Sequence, residues 1–216
     1  MLSMQQLQTE VGKWSRANFD NQQTKITFMV VDAHGPDQRP HPAHVCLEEI
    51  APLLGIGEEL GELCEAGNNA DTKDAVGDIV IYVCDYAARS GAKLPHQLHV
   101  DLEGRVLDPL LGLTGAVGRL YHAHLKQMQG IRKDGDKPTN VKIDEALGLL
   151  LYYLDQFVRN TFTGSTLLMI ANDTWHGVVK KRDWKKDPEQ GGGHAHNLET
   201  PPAEDPLPAA GTPLSE

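Results

Sequence analysis

The chain has 216 residues and a formal net charge of −10. That is enough length to bury a proper core as one domain, or one domain plus a tail. The charge has the wrong sign for general affinity to nucleic acid or an anionic membrane, although a phosphorylated small molecule stays open because bound metal reverses the local sign. Three widely spaced cysteines, Cys46, Cys64 and Cys84, read as reduced core thiols of a cytoplasmic protein. Met1 to Lys13 is polar and amphipathic, unlike a secretory signal. No apolar run is long enough to span a bilayer.

Apolar positions at Leu7, Val11 and Trp14 predict a helix over 4–18, closed by the turn residues Asn18-Phe19-Asp20-Asn21. Residues 25–42 start β-branched and are then broken by Gly35, Pro36, Pro40 and Pro42, which predicts an irregular excursion with at most a short strand. A helix follows from about His44 to Ala66, with a bend at Pro52 and an apolar stripe of Leu53, Ile56, Leu60 and Leu63. Gly67-Asn68-Asn69 stops it. The next helix starts after Asp71 or Thr72 as N-cap and runs to about Arg89, closed by Ser90-Gly91. Residues 91–107 form a connection with a short extended piece at Gln97–Leu102. Three further helices are expected at about 108–130, 142–161 and 165–181, with a Gly, Asp and Lys-rich loop over 130–140. From Asp187 onward glycine and proline dominate, and such a tail cannot repay its ordering entropy. The expected fold is all-α, a four- to five-helix bundle over residues 1–186, followed by a disordered tail at 187–216.

The chemistry lies on two neighbouring helices. Glu58-Glu59-Leu60-Gly61-Glu62 carries acids three apart, and Asp74-Ala75-Val76-Gly77-Asp78 carries acids four apart. Either spacing puts the pair on one helical face, about 5–6 Å apart at Cβ. The acids sit beside the apolar stripes, and a short turn joins the helices, so the two sets should converge. Carboxylates gathered beside a core demand a cation. Mg²⁺ prefers oxygen ligands and takes a few carboxylates with phosphate and water. Glu59, Glu62, Asp74 and Asp78 could hold one or two such ions, and a remaining carboxylate could take a proton from an attacking water. The alternative is an ordinary solvated acidic face.

A weak repeat accompanies them. Gly61-Glu62-Leu63 matches Gly118-Arg119-Leu120, and Asp74–Asp78 matches Glu145-Ala146-Leu147-Gly148-Leu149. Arg119 stands for Glu62, Ala116 for Glu59 and Leu149 for Asp78. A degenerate duplication would leave one copy with the acids and the other with packing alone, and chance likeness is the alternative. The mid-helix glycines cost about 1 kcal/mol each relative to alanine, an expense that close helix–helix approach would explain.

Gly57-Glu58-Glu59-Leu60-Gly61-Glu62-Leu63 followed by Lys73-Asp74-Ala75-Val76-Gly77-Asp78-Ile79 resembles the MazG-like all-α nucleoside triphosphate pyrophosphatases. These carry E-E-x-x-E on one helix and an acidic motif ending in Asp on the next. Trp14, Asn18 and Phe19, with Trp175 and Lys181-Arg182-Asp183-Trp184, resemble the flanks of phage and bacterial members. The likeness covers about residues 4–186. It implies hydrolysis of a (deoxy)nucleoside triphosphate between the α- and β-phosphates, giving monophosphate and pyrophosphate. It implies Mg²⁺ as cofactor, with Mn²⁺ as substitute, a homo-oligomer (dimer or tetramer), and the cytoplasm, a host's for a viral member. By analogy Glu59, Glu62 and Asp78 hold metal with Asp74 in fourth place, and Glu58 is a further ligand or positions the water. One departure stands out. The usual second motif, E-x-x-D, would put glutamate at 75, where this chain has Ala75 with Asp74 one residue earlier.

Trp14 and Tyr82 are candidates to enclose a base, since aromatic faces stack on nucleobases, with core packing as the alternative for each. Two aromatics lean the expectation toward a purine, dGTP first. A dUTPase- or dCTPase-like preference and a non-catalytic nucleotide-binding module are the other readings. Lys126 and Arg132 could meet the leaving pyrophosphate, or simply end a helix favourably. His122 shares their helix, and Asp85 shares the acidic face with Tyr82.

Overall fold

Two side-chain caps show how this chain starts its helices. Asn68 accepts hydrogen bonds from the backbone N–H groups of Ala70 (2.8 Å) and Asp71 (3.0 Å). Asp108 does the same for Leu110 (3.0 Å) and Leu111 (3.1 Å), with Pro109 in the first turn. The first corrects the expected cap at Asp71 or Thr72. Several cap-competent residues stand in a row here, and the first of them begins the helix.

The computed structural model describes residues 1–19, 25–30, 41–96, 108–131 and 133–182, and of residues 25–30, 41–48, 133 and 134 the backbone alone. The elements in order are α1 (Met4–Phe19), β1 (Lys25–Val30), β2 (His41–Cys46), α2 (Leu47–Glu65), α3 (Asn69–Ser90), α4 (Pro109–Met128), β3 (Lys133–Asp134), β4 (Lys137–Pro138), α5 (Thr139–Thr161) and α6 (Leu167–Gly177). A single 3₁₀ turn, Val179–Lys181, follows α6. The protein is predominantly helical, as its apolar periodicity required. Six α-helices are present among the described residues, the N-terminal one joining the five expected for the core.

Residues 25–46 depart from expectation. β1 and β2 pair antiparallel, with Lys25 opposite Cys46 and Val30 opposite His41, so the helix begins at Leu47 rather than His44. Pro42 is tolerated because a two-stranded ribbon is all edge. The loop expected over 130–140 is a second ribbon, β3–β4, turned at Gly135 with φ 69°. The extended piece at 97–102 and the tail lie outside the described residues. Residues Met1–Arg182 form one compact unit.

α3 is the central element. It pairs with α2 as a hairpin across a three-residue link and also packs against α1 and α6; α4 pairs with α5. Its residues Val76, Val80, Val83 and Ala87 are fully buried, as are Leu7, Val11, Ile56, Leu120, Leu147 and Leu150 from its surroundings. Cys84 is buried, and burial raises its thiol pKa, whereas Cys64 is exposed rather than in the core.

The mid-helix glycines divide. A Cβ on Gly77 would lie 1.9 Å from Thr174 Oγ1 and 2.8 Å from Thr174 Cβ, so α6 comes down on α3 there. At Gly61 and Gly118 nothing among the described residues lies within 4 Å, so close approach does not explain them. Gly77→Ala gains about 1 kcal/mol of helix propensity but must push back a β-branched side chain, an overpacking cost of about 1–3 kcal/mol. The expected net result in urea unfolding is a loss of up to about 2 kcal/mol. A more stable variant would contradict the packing.

Candidate active site

Ile56, Leu60 and Leu63 fix how α2 rolls onto the core, and that roll decides the fate of each acid. Glu59, one turn from Ile56 and Leu63, is carried under and is 3 % exposed. Its neighbour Glu58 faces solvent, and Glu62 is half-buried at the edge. On α3 the burial of Val76, Ile79 and Val80 leaves Asp78 half-buried and Asp74 exposed.

The acids converge on Glu59. Burial, then the charges of Asp78, Glu62, Glu58 and Asp74 in that order, push its pKa up to about 8. Both helices therefore contribute to one electrostatic site, and Asp74 belongs to it as the weakest of the four. Ala75 is 3 % exposed and packs in the apolar core. Among the described residues no three or more His, Cys, Asp or Glu side chains are placed to hold a metal ion together. The arrangement is an open acidic groove. Such a groove fits a hard ion that keeps waters and takes substrate phosphates alongside one or two carboxylates. A carboxylate removed from water among like charges also gains most from a cation.

Tyr82 lies in this groove. Its ring packs on α2 where Gly55 leaves room, a Cβ there being 2.6 Å from the ring. Burial and the charges of Glu59, Glu58 and Asp78 push its phenol up to about 12, against the opposing pull of Arg182. The hydroxyl thus stays protonated at neutral pH. Tyr121 braces the same helix from α4, its hydroxyl donating to Leu53 O (3.0 Å).

Arg182, just past the 3₁₀ turn, is a cation whose charge reaches Tyr82. Its carbonyl accepts the Trp14 indole N–H (3.1 Å), and Trp14 stands edge-on to Phe19 (5.8 Å) and Trp175 (6.1 Å). Trp14 thus holds the backbone of the residue whose charge acts on Tyr82. Beside Asp74 a cavity of about 490 Å³ opens between α3 and α6, with Lys73, Asp173 and Thr174 in its wall. Of this wall the sequence marked Asp74, while Asp173 and Thr174 reach it through the packing of α6 on α3 at Gly77.

The remaining candidates lie elsewhere. Asp85 turns away from the groove and pairs with Arg89 (2.8 Å), which also donates to Ser15 of α1. Lys126 is on α4, near its C-terminal turn, and is not among the leading charges acting on Glu59 or Tyr82. His122 lines a different cavity, between α4 and α5. Arg132 lies outside the described residues. No described helix is long and apolar enough to cross a membrane. Scans against protein-family models, curated proteins and solved structures each find no match.

Proposed function

We propose that this chain is a Mg²⁺-dependent nucleoside triphosphate pyrophosphohydrolase of the MazG-like all-α type, acting as a homo-oligomer. The observation that carries the reading is Glu59, buried and held up at about pKa 8 by four carboxylates from two helices. Glu59, Glu62, Asp78 and Asp74 would hold the metal, Mg²⁺ or Mn²⁺. When bound, the ion supplies charge neutralisation at the phosphates and a fixed orientation for them.

The other roles fall to the chain's own groups. Glu58, exposed at the lip of the groove, orients the water that attacks the α-phosphorus and takes its proton. The bond between the α-phosphorus and the bridging oxygen breaks, leaving monophosphate and pyrophosphate. Arg182 supplies positive charge toward the phosphates. Tyr82, kept protonated, offers a donor, and with Trp14 it flanks the base. The two aromatics favour a purine, with dGTP first.

The burial of Ala75 and the exposure of Asp74 favour one second reading, a binding module with impaired catalysis. One experiment tests both. The chain is incubated with Mg²⁺ and each canonical dNTP, and products are separated by chromatography. The expected result is monophosphate and pyrophosphate in equal amounts, fastest from dGTP and absent in EDTA. Tight binding without monophosphate would replace the enzyme by the module. Release of orthophosphate instead would overturn the site of cleavage.

A further inference from the structure

The second helical hairpin holds a cavity where the first holds its acids. The cavity, about 630 Å³, lies between α4, α5 and the β3–β4 ribbon, a size that suits a small organic ligand. The repeat aligns α4 with α2 through Gly118-Arg119-Leu120, and α5 with α3 through Glu145–Leu149. When each helix is carried along without a gap, part of the cavity wall falls on counterparts of groove acids. Arg119 lies in the place of Glu62, while His122 and Lys142 lie in the places of Glu65 and Asp71, acids outside the groove. Gly115 replaces Glu58, and Leu149 replaces Asp78. Glu145 alone keeps an acid, in the place of Asp74, and Lys137 from the ribbon pairs with it at 2.6 Å. Asp136 is the other acid in the wall.

Of the groove acids, Glu62 thus has a cation, Arg119, at its counterpart, while Glu58, Glu59 and Asp78 have uncharged residues. Three cations line a concave surface in a chain whose net charge is −10. A surface that had merely lost a metal site would drift toward the average composition of this acidic chain. Arginine and lysine at the same wall suit phosphate, the guanidinium fork gripping two oxygens and the ammonium acting as a point charge. Leu149, Ala123 and Ala146 supply an apolar side for the body of a nucleoside.

We propose that this cavity binds a nucleoside monophosphate, without a divalent cation. The phosphate site rests on this wall, and the choice of a nucleoside rests on the proposed function.

The test is calorimetric titration of the full chain with dGMP, and separately with inorganic phosphate, in EDTA. Saturable dGMP binding is expected, tighter than that of inorganic phosphate. Arg119→Glu and Lys142→Glu should each weaken it at least tenfold, while Glu62→Gln and Asp78→Asn leave it unchanged. Arg119 is exposed, so the fold should tolerate its reversal, which circular dichroism checks. Absence of saturable dGMP binding would overturn the proposal, as would binding that survives both reversals. Loss in Glu62→Gln would assign the ligand to the acidic groove instead. Equal affinity for inorganic phosphate would remove the nucleoside from the site.

Discussion

Glu59→Gln is expected to silence pyrophosphate release and, at the same time, to stabilise the metal-free protein at alkaline pH. In the folded chain this carboxyl is raised to about 8, while in the unfolded chain it has the ordinary glutamate value. Between those two values the folded state holds the proton that the unfolded state has lost. Stability is therefore full below the unfolded pKa and declines as pH rises toward 8. The shift corresponds to roughly 3–5 kcal/mol across that window. Glutamine fills the same volume and carries no charge, so the decline should vanish. Urea unfolding in EDTA at pH 5 and pH 8 measures this directly. The wild type should lose several kcal/mol between the two, and the variant should stay level. Addition of Mg²⁺ at pH 8 should raise the midpoint of the wild type and not that of the variant. Turnover should fall by about 10²–10³, the usual cost of removing one electrostatic group from a reacting centre. A pH-independent wild type would show that Glu59 is not held in the environment described.

The other acids should matter in a definite order. Asp78 and Glu62 act most strongly on Glu59, and Asp74 least. Asp78→Asn and Glu62→Gln should each reduce pyrophosphate release by about 10²–10³. Asp74→Asn, exposed and weakest in the set, should reduce it by about tenfold, the low end for a supporting group at a metal centre. Ala75→Glu makes a sharper contrast. It would rebuild the family's usual motif on paper, yet position 75 is 3 % exposed in the apolar core. A carboxylate there would be desolvated without a partner, so the variant should lose stability and gain no activity. Steady-state rates and thermal unfolding on the four variants separate these outcomes. Full turnover by Asp78→Asn and Glu62→Gln would sink the metal reading. Rate enhancement in Ala75→Glu would show that Asp74 is a poor substitute.

The helices were legible because their apolar residues recur at helical spacing and their ends carry strong stop signals, Gly67-Asn68-Asn69 and Ser90-Gly91 among them. The β1–β2 ribbon was not, since four Gly and Pro residues between 35 and 42 mask the extended segments on either side. The acidic groove was legible from spacing alone, and the Ile56–Leu63 stripe even implies which acid goes under. Arg182 was legible only as one of a basic run, Lys180, Lys181, Arg182, Lys185 and Lys186, that could close over phosphates or cover a neighbouring subunit; its own place depends on how α6 crosses α3, a tertiary matter decided at Gly77 and Thr174. The cationic wall between α4 and α5 was half-visible. The repeat registered the missing acids, but only the cavity brought Arg119, His122 and Lys142 to one wall.

Asn172 of α6 holds the backbone of Leu2 from both sides, accepting from its N–H at 2.7 Å and donating to its carbonyl at 3.0 Å, across 170 positions of sequence. Of the described helices α1 therefore docks only after later ones exist. Its apolar stripe, Leu7 and Val11, waits for α3, and Leu2 ahead of it waits for α6. Such long-range closure slows folding and leaves an amphipathic helix exposed in the meantime. The clamp on Leu2 thus closes only once α6, far along the chain, has formed.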